Sequence, residues 1–280
     1  QGKSLQEFIY SDAVQAYTSG KISLLSSHLL KSPEEMAVRV STSTDEGDRL
    51  LIVNGDDGSI ACYTLLRSQN VIAPSEWTTD GEFINIGVDV DDIYTVVKRT
   101  VNSVDAYYVE IFDSDTLLDS AKSGGAAASV TMDHLEGETV KIIRDGIIEP
   151  DQTVPPTPFT VTFATAATSS HEVGLNFTPE VKTLPFEPNL PSGSLKGFKK
   201  RILEVNAELF ETQSLTIDGK LVPFRQFGTG VFGGAVPEYT GIKTLPSMLG
   251  YTYDGQVTIG QEVPLKMTLL GIDYKVSIGQ

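Results

Sequence analysis

The stretch that decides the fold class is "RLLIVNGDDGSIACYTLL", residues 49–66, in which two apolar runs flank a cluster of turn residues. Two β-prone runs joined by Asn-Gly and Asp-Gly pairs are the strongest short-range signal of a β-hairpin. We therefore expect residues 49–66 to form two antiparallel strands with a tight turn between them.

The β signal continues on both sides of this hairpin and towards the C-terminus. Residues 82–113, "EFINIGVDVDDIYTVVKRTVNSVDAYYVEIFD", predict at least three strands broken at "DVDD" and "VNSVD". Strands at this spacing are typical of propeller blades, sandwiches and barrels. Residues 200–212, "KRILEVNAELFET", suit a helix by residue type, but their apolar residues alternate, so we favour a strand; these residues are Leu203, Val205, Ala207 and Leu209.

Helix is predicted only near the N-terminus. Residues 11–17 and 19–30 have helical spacing after serine caps, with Ile22, Leu25 and Leu29 on one face. Small-residue or proline-rich segments at 120–130, 149–161 and 182–197 are interpreted as loops or breaks, since proline does not fit the middle of a helix or central strand. The predicted fold is mainly β: a multi-module antiparallel protein with propeller-like blade strands, a β-barrel or sandwich platform module, and short helices near the N-terminus. The predicted parts are a helical lead-in (1–35), a propeller-like module (36–119), a hairpin-containing platform module (120–181) and a C-terminal β module (182–280).

The charge is strongly acidic and unevenly distributed. The chain carries a net charge of −16; its first 150 residues hold 25 Asp and Glu against 11 Lys and Arg, a balance of −14, and the rest holds 12 against 10, or −2. Affinity for nucleic acid comes chiefly from cations on phosphates, so this composition argues against a sequence-reading DNA binder. A surface past which DNA must slide without sticking should, however, be acidic.

Cellular location is only partly constrained by the sequence. No apolar run approaches the roughly 20 residues of a membrane-spanning helix. The single cysteine, Cys62, excludes an intrachain disulfide framework and is expected to be a buried small side chain. Because no initiator methionine is present, we expect a fragment or processed form of a longer protein.

One stretch could hold a metal or an acid–base pair. Residues 131–148, "TMDHLEGETVKIIRDGII", bring Asp133, His134, Glu136 and Glu138 together. The other two histidines, His28 and His171, are distant in sequence, and no H-E-x-x-H motif supplies further ligands. We favour a structural loop followed by a strand.

The second half of that stretch predicts a hairpin. Asp145-Gly146 has the composition of a two-residue type I′ turn. In the strand before it, Val140 and Ile142 are expected to face the core, with Lys141 and Ile143 on the opposite face.

The remaining motifs predict no catalytic, cofactor-binding or metal-binding residue. Gly228, Gly230 and Gly233 form a G-x-G-x-x-G pattern, but no helix pattern follows it, so a loop is the better interpretation. No P-loop and no G-x-S-x-G nucleophile elbow is present.

The one basic cluster is "LKGFKKRI", which contains Lys196, Lys199, Lys200 and Arg201. These side chains could contact phosphates or the acidic face of a partner, or they could simply be solvated. With the acidic N-terminal half, they make a basic-on-acidic contact between subunits plausible.

Taken in order, several segments of the sequence resemble the tail nozzle proteins of short-tailed bacteriophages. These are also called tail tubular protein B or head-to-tail stabilisation proteins. The similarity runs from "QEFIYSDAVQAY" and "SLLSSHLL" through residues 49–100, "AYYVEIFD", "MDHLEGETVKIIRDGII", "VGLNFTPEVKTLP" and "GFKKRI" to "GQVTIGQEVPLKMTLLGI". The segment "PSEWTTDGEF" differs from the family's usual Trp-His/Ser-Arg-x-x-Thr-Asp-Gly form. Trp77 and Phe83 in it are expected to be packing residues.

The resemblance implies a virion structural protein made in the host cytoplasm, not an enzyme, and no cofactor. Family members form a ring, usually a hexamer, that extends the tail below the portal and adaptor, conducts the genome during ejection and has tail fibres or spikes attached nearby. From this follow two hypotheses on residues. Acids among Asp56, Asp57, Asp89, Asp91 and Asp92 would face a lumen or outer solvent, and the basic cluster would contribute to ring or adaptor contacts.

Two rival interpretations remain. The first is a carbohydrate-binding or polysaccharide-degrading β-protein of a phage tail, which would need two carboxylates beside an aromatic-lined groove. The second is a β-propeller adhesion module of a host.

Overall fold

The computed structural model describes residues 4–43, 46–188, 193–225, 234–246 and 250–279. Within these ranges the chain is mainly β, every strand pairing is antiparallel, and the sheets are open, which confirms the predicted class. The strands are β1 (Gln6–Ser11), β2 (Ala16–Lys21), β3 (Pro33–Arg39), β4 (Asp48–Asn54), β5 (Ile60–Leu66), β6 (Val71–Trp77), β7 (Glu82–Asp89), β8 (Asp92–Val101), β9 (Val104–Phe112), β10 (Asp119–Gly124), β11 (Ala127–Thr131), β12 (Thr139–Arg144), β13 (Ile147–Thr153), β14 (Thr160–Ala167), β15 (His171–Leu175), β16 (Glu180–Lys182), β17 (Lys200–Thr212), β18 (Thr216–Ile217), β19 (Lys220–Leu221), β20 (Tyr239–Pro246), β21 (Thr258–Gly260) and β22 (Leu269–Ile278). Three-residue 3₁₀ helices occur at Ser27–Leu29, Arg67–Gln69 and Asp133–Leu135.

The chain divides into two compact units. Unit 1 comprises Gln1–Asp115 with His134–Glu138, and unit 2 comprises Thr116–Asp133 with Thr139–Gln280. The four-part division predicted from the sequence stays a prediction.

Unit 1 is built around the hairpin of residues 49–66. Strands β3, β4, β5 and β6 form one sheet in sequence order, as in a propeller blade, and β7, β8 and β9 form a second. Because side chains alternate along a strand, the unbroken apolar runs of β4 (residues 50–53) and β5 (residues 60–63) supply two faces at once. The first face packs against β7 and β8. The buried residues on the two sides of this contact are Leu51, Val53, Ile60, Cys62, Phe83, Ile86, Ile93 and Val97. The second packs against the N-terminal segment, and its buried residues are Leu30, Leu50, Ile52, Ala61 and Tyr63.

The predicted packing roles in unit 1 are confirmed. Phe83 is buried, and the partly buried Trp77 packs against the same cluster. Both rings contact Phe112, with centroids 4.9 Å from Trp77 and 5.9 Å from Phe83.

The predicted N-terminal helices are wrong. Residues 6–21 form a β1–β2 hairpin instead, and residues 19–30 hold only the single turn Ser27–Leu29. The aromatic residues of this segment pair across the hairpin: Tyr17 lies 5.9 Å from Phe8 and 5.4 Å from Tyr10 between ring centroids. Such pairs stabilise antiparallel strands, and they explain why residues 11–17 join a hairpin rather than a helix. Leu25, expected to share a buried face, is 91% exposed.

Unit 2 contains four sheets, with strand orders β10-β15-β12-β13, β11-β14, β16-β21-β18-β19 and β20-β17-β22. The predicted strand over residues 200–212 is confirmed as β17, and Val205, Ala207 and Leu209 are fully buried in the core. Leu203 is 42% exposed, because a bulge between Ile202 and Glu204 interrupts the alternation.

Two predictions on loops meet different outcomes in unit 2. Residues 120–130 were expected to be a loop but contribute to β10 and β11. Small side chains allow this close pairing: a Cβ at Gly124 would lie 2.7 Å from the ring of His171 opposite it on β15. The proline-rich segment 149–161 behaves as expected, since no strand covers the stretch between Thr153 and Thr160 and Pro150 lies on the edge strand β13.

Candidate functional site

The β4–β5 turn presents two acids with different surroundings. Asp56 is exposed. Asp57 is also exposed, but its carboxylate accepts hydrogen bonds from the backbone N–H and hydroxyl of Ser59, and Lys31 Nζ lies 2.7 Å from its Oδ2. Partial burial raises the pKa of Asp57, but the hydrogen bonds from Lys31 and Ser59 lower it further, so the net shift is downward. Asp57 therefore stabilises its own turn, and Asp56 is the acid of this turn that faces solvent.

The β7–β8 turn presents the other three candidate acids, all exposed. Asp91 is held by the fold: Arg39 Nη2 lies 2.9 Å from its Oδ1, and the Thr42 hydroxyl donates to its Oδ2 at 2.9 Å. Asp89 and Asp92 lie directly opposite each other in the strand register. Within the described residues, no cation contacts either of them; Asp92 accepts a 3.5 Å hydrogen bond from Tyr94.

The structure does not bring the two acidic turns together. The backbone N–H of Phe83, at the start of β7, donates to the carbonyl of Gly58 in the β4–β5 turn. The β7–β8 turn lies at the other end of β7, about 23 Å away at the rise of roughly 3.3 Å per residue of an extended strand. Unit 1 therefore displays acid at two separate places.

The basic cluster is not a single surface. Lys200 was predicted to be a contact residue, but it is fully buried, and its Nζ donates to the Tyr253 carbonyl at 2.9 Å. Its position at the start of β17 directs the side chain into the core, because residues alternate along the strand. Lys196 stays exposed, 3.8 Å from Glu187.

Lys199 and Arg201, on the opposite face of β17 from Lys200, form a surface with two tyrosines. Lys200 pairs with Thr252 as an isolated bridge, which places Tyr251 and Tyr253 opposite Arg201 and Lys199. Lys199 Nζ lies 6.0 Å from the centroid of Tyr253, and Arg201 Cζ lies 5.9 Å from that of Tyr251. We call these four residues the cation–tyrosine surface.

The cation–tyrosine surface is open and carries uncompensated charge. The tyrosines are 53% and 58% exposed. Neither cation forms an ion pair with any described residue, and the Nε of Arg201 has no hydrogen-bond partner there. Sequence reasoning missed Tyr251 and Tyr253; their Tyr-x-Tyr spacing signals one face of an extended segment, but only the pairing with Lys200 shows which face they join.

The stretch 131–148 makes contacts with other strands of the fold. Asp133 pairs with Lys122 at 2.6 Å, and the Tyr108 hydroxyl donates to the backbone carbonyl of His134. No group of three potential metal ligands is found among the described residues, which include all three histidines. Val140 and Ile142 are fully buried as predicted; Ile143, expected on the opposite face, is buried too, so both faces of β12 are covered at this point.

The turn at the end of this stretch is held by its own acid. Asp145 and Gly146 have φ of 48° and 73°, as a type I′ turn requires. The carboxylate of Asp145 accepts backbone N–H bonds from Thr168, Ser169 and Ser170 at 2.8 to 3.0 Å, and both hydroxyls at positions 168 and 169 also donate to it. These donors, with the backbone N–H of Thr168 foremost, hold the pKa of Asp145 far below its usual range.

A cavity of about 490 Å³ lies within unit 2. Its described lining is mostly apolar, with Arg225 the charged member; the remaining residues are Gly146, Ile147, Ile148, Gln213, Ser214, Leu221, Val222, Pro223, Phe224, Gly234, Val236, Val263 and Leu265. No carboxylate belongs to the described lining, so these residues do not supply the acid pair that a glycoside hydrolase needs.

The remaining sequence predictions concern single features. Cys62 is buried as predicted, and burial raises the pKa of its thiol. The glycines of the G-x-G-x-x-G pattern, Gly228, Gly230 and Gly233, lie outside the described residues. Across the described part of the chain, helices are too short and too polar to cross a membrane.

Comparison of the sequence with protein-family models and with curated proteins gives no match. The functional argument therefore rests on the surfaces of the chain itself.

Proposed function

We propose that the chain is a structural component of a phage tail, part of a nozzle ring through which the genome leaves the virion and to which fibres or spikes attach. The other partners would be further copies of the chain in a ring, usually a hexamer, and the tail adaptor. The protein would be made in the host cytoplasm and then incorporated into the virion. Duplex DNA would pass it without sequence-specific contacts.

The observation that carries the proposal is the display of acid at the turns of unit 1. All five candidate acids are exposed, and Asp56, Asp89 and Asp92 are not neutralised by a cation of the described chain. A conduit wall of this charge repels a passing polyanion, so the duplex slides rather than binds. The ordered segments that resemble the tail nozzle proteins of short-tailed bacteriophages support the same function.

The rival function, binding or degrading a polysaccharide, has less support. The 490 Å³ cavity offers no carboxylate pair, and the exposed tyrosines at positions 251 and 253 flank cations rather than acids. An enzyme of this kind would need two carboxylates beside its sugar-binding groove.

Electron microscopy of the purified protein tests the proposal. The expected result is closed rings with an open centre, and no retention of duplex DNA at low salt. Particles that stay monomeric at every concentration and bind or shorten an anionic polysaccharide would contradict it.

A further inference from the structure

Three unfavourable features coincide in the four residues of the β7–β8 turn. Asp89 and Asp92 are like charges directly opposite each other in an antiparallel pair, an arrangement that destabilises a hairpin. Val90 has a φ of 57°, a conformation that β-branched residues rarely adopt. The same valine is 72% exposed, although it is apolar.

In the described part of unit 1, a single long hydrogen bond compensates these features, from the Tyr94 hydroxyl to Asp92 at 3.5 Å. Arg39 and Thr42 hold Asp91 alone, and Asp89 receives no hydrogen bond or ion pair at its carboxylate from any described residue. Strained, exposed and like-charged groups persist where the surrounding structure or a bound partner stabilises them. The turn therefore presents two carboxylates on either side of a projecting apolar side chain.

The cation–tyrosine surface of unit 2 has the complementary chemistry. Its two cations lie two residues apart, one just before β17 and one within it, about 7 Å at the rise of an extended strand. This is close to the roughly 5 Å that separates residues facing each other across a hairpin. Long, flexible Lys and Arg side chains can close that difference. The two tyrosine rings beside them offer an apolar surface to the valine.

We propose that the β7–β8 turn of one copy docks on the cation–tyrosine surface of a second copy of this chain. Asp89 and Asp92 pair with Lys199 and Arg201, and Val90 packs on Tyr251 and Tyr253. The docking places Asp89 and Asp92 between copies, so the repulsion of DNA in the proposed function then comes from Asp56 and from other exposed acids of unit 1, such as Glu34 and Glu35.

The contact is head-to-tail, because it joins two different surfaces. A pair of copies then keeps one unused turn on one copy and one unused surface on the other, so association continues until a ring closes or a filament forms. This inference rests on the proposed function, since it says which surfaces join the subunits of the proposed ring.

The charges at the contact favour a second copy of the chain over a nucleic acid as the partner of the cation–tyrosine surface. The long-range repulsion from a net charge of −16 acts on a polyanion and on a second copy alike, so the choice between them depends on how the charges match at the contact itself. A copy of the same chain brings two carboxylates already held at nearly the required spacing.

Zero-length cross-linking of a mixture of ¹⁴N-labelled and ¹⁵N-labelled protein tests the contact. A carbodiimide joins a lysine amine directly to a carboxylate, and the two labels distinguish links between copies from links within one copy. The expected result is a light–heavy link from Lys199 to Asp89 or Asp92.

Charge variants sharpen the test. Lys199→Glu with Arg201→Glu, and separately Asp89→Lys with Asp92→Lys, should each lower the yield of copy-to-copy product at every linked residue, and not only at the substituted ones, about tenfold, the range expected for close interfacial charge pairs. All four changes in one chain should restore it, with the sense of the link reversed, so that a carboxylate of the altered surface is joined to an amine of the altered turn. The matched control, Lys21→Glu with Lys182→Glu at exposed positions, reaches the same net charge as the first variant and should leave the yield unchanged.

The outcomes separate this inference from the proposed function. Light–heavy links that occur only at other residues, or a yield indifferent to the charge variants, would overturn the docking and leave the ring intact. No light–heavy link at any residue, even in concentrated protein, would overturn both.

Discussion

The β12–β13 turn and the β7–β8 turn are both two-residue hairpin turns with acids, but the fold uses those acids in opposite ways. In the first, Asp145 accepts bonds from three backbone N–H groups and two hydroxyls, and a glycine takes the second positive-φ position. In the second, Asp89 and Asp92 face each other without a cation, and a valine takes the positive-φ position. An acidic turn is therefore no sign of function until its hydrogen-bond donors and cations have been identified. The first turn is closed by its own chain, and the second is open.

The largest effect is expected from breaking the closed turn. Asp145→Ala leaves the N–H groups of residues 168–170 without their acceptor, so we expect Tm to fall by several degrees, whereas Asp89→Ala should leave Tm unchanged or raise it. Thermal unfolding followed by circular dichroism measures both.

Acid titration sharpens the same contrast. The folded pKa of Asp145 is lowered from 3.8, so its contribution to stability is complete above about pH 4 and is lost as pH falls towards the folded pKa. Asp145→Asn should make the stability curve flatter below pH 4, which acid titration followed by circular dichroism measures. A slope equal to that of the parent chain would contradict the role of these donors at Asp145.

The second effect extends the comparison to two neighbouring lysines. Lys200→Ala removes a fully buried side chain and the donor to the Tyr253 carbonyl, at a cost of about 2 kcal/mol at roughly 0.8 kcal/mol per buried methylene. Lys199→Ala, one residue away on the open face, should change the free energy of unfolding by less than about 0.5 kcal/mol. Urea denaturation measures the free energy of unfolding of the two variants. Equal losses would contradict the assignment of Lys200 to the buried face and Lys199 to the open face.

The third effect comes from the turn backbones. Gly146→Val places a β-branched residue at φ 73° and should cost about 1–2 kcal/mol. Val90→Gly removes the strain of a β-branched residue at positive φ. Because glycine also loses more backbone entropy on folding, the net result should be a rise in the free energy of unfolding of up to about 1 kcal/mol. A loss of stability in Val90→Gly would mean that the open turn is not strained.

The smallest effect separates two adjacent acids. Asp57→Ala loses the hydrogen bonds to Ser59 and should cost about 1 kcal/mol. Asp56→Ala, with no such partner, should remain within about 0.5 kcal/mol of the parent chain. If the order were reversed, Asp56 and not Asp57 would hold the β4–β5 turn.

Sequence patterns predicted hairpins whose turns are determined by local residue types better than those that depend on contacts between strands. Asn-Gly and Asp-Gly pairs fix turn geometry locally, so the β4–β5 and β12–β13 hairpins could be predicted, as could the alternating strand β17. The β1–β2 hairpin could not, because its sparse apolar residues fit helical spacing until the cross-strand aromatic pairs are seen.

The candidate surfaces depended on long-range pairing. The residue types of "KKR" do not show that Lys200 is buried while Lys199 and Arg201 are open; the bridge to Thr252 decides it. That bridge also supplies the two tyrosines, which come from a distant part of the sequence. Likewise, only the contact with Arg39 separates Asp91 from its two open neighbours.

Native mass measurement of two neutralised variants, separately and mixed, tests the central claim most directly. One variant carries Lys199→Gln and Arg201→Gln, the other Asp89→Asn and Asp92→Asn, so a mixture retains one intact turn and one intact surface that can meet. A head-to-tail contact predicts that each variant alone is monomeric and that the mixture forms a one-to-one dimer and stops there. A mixture that stays monomeric, or variants that each assemble like the parent chain, would contradict the claim.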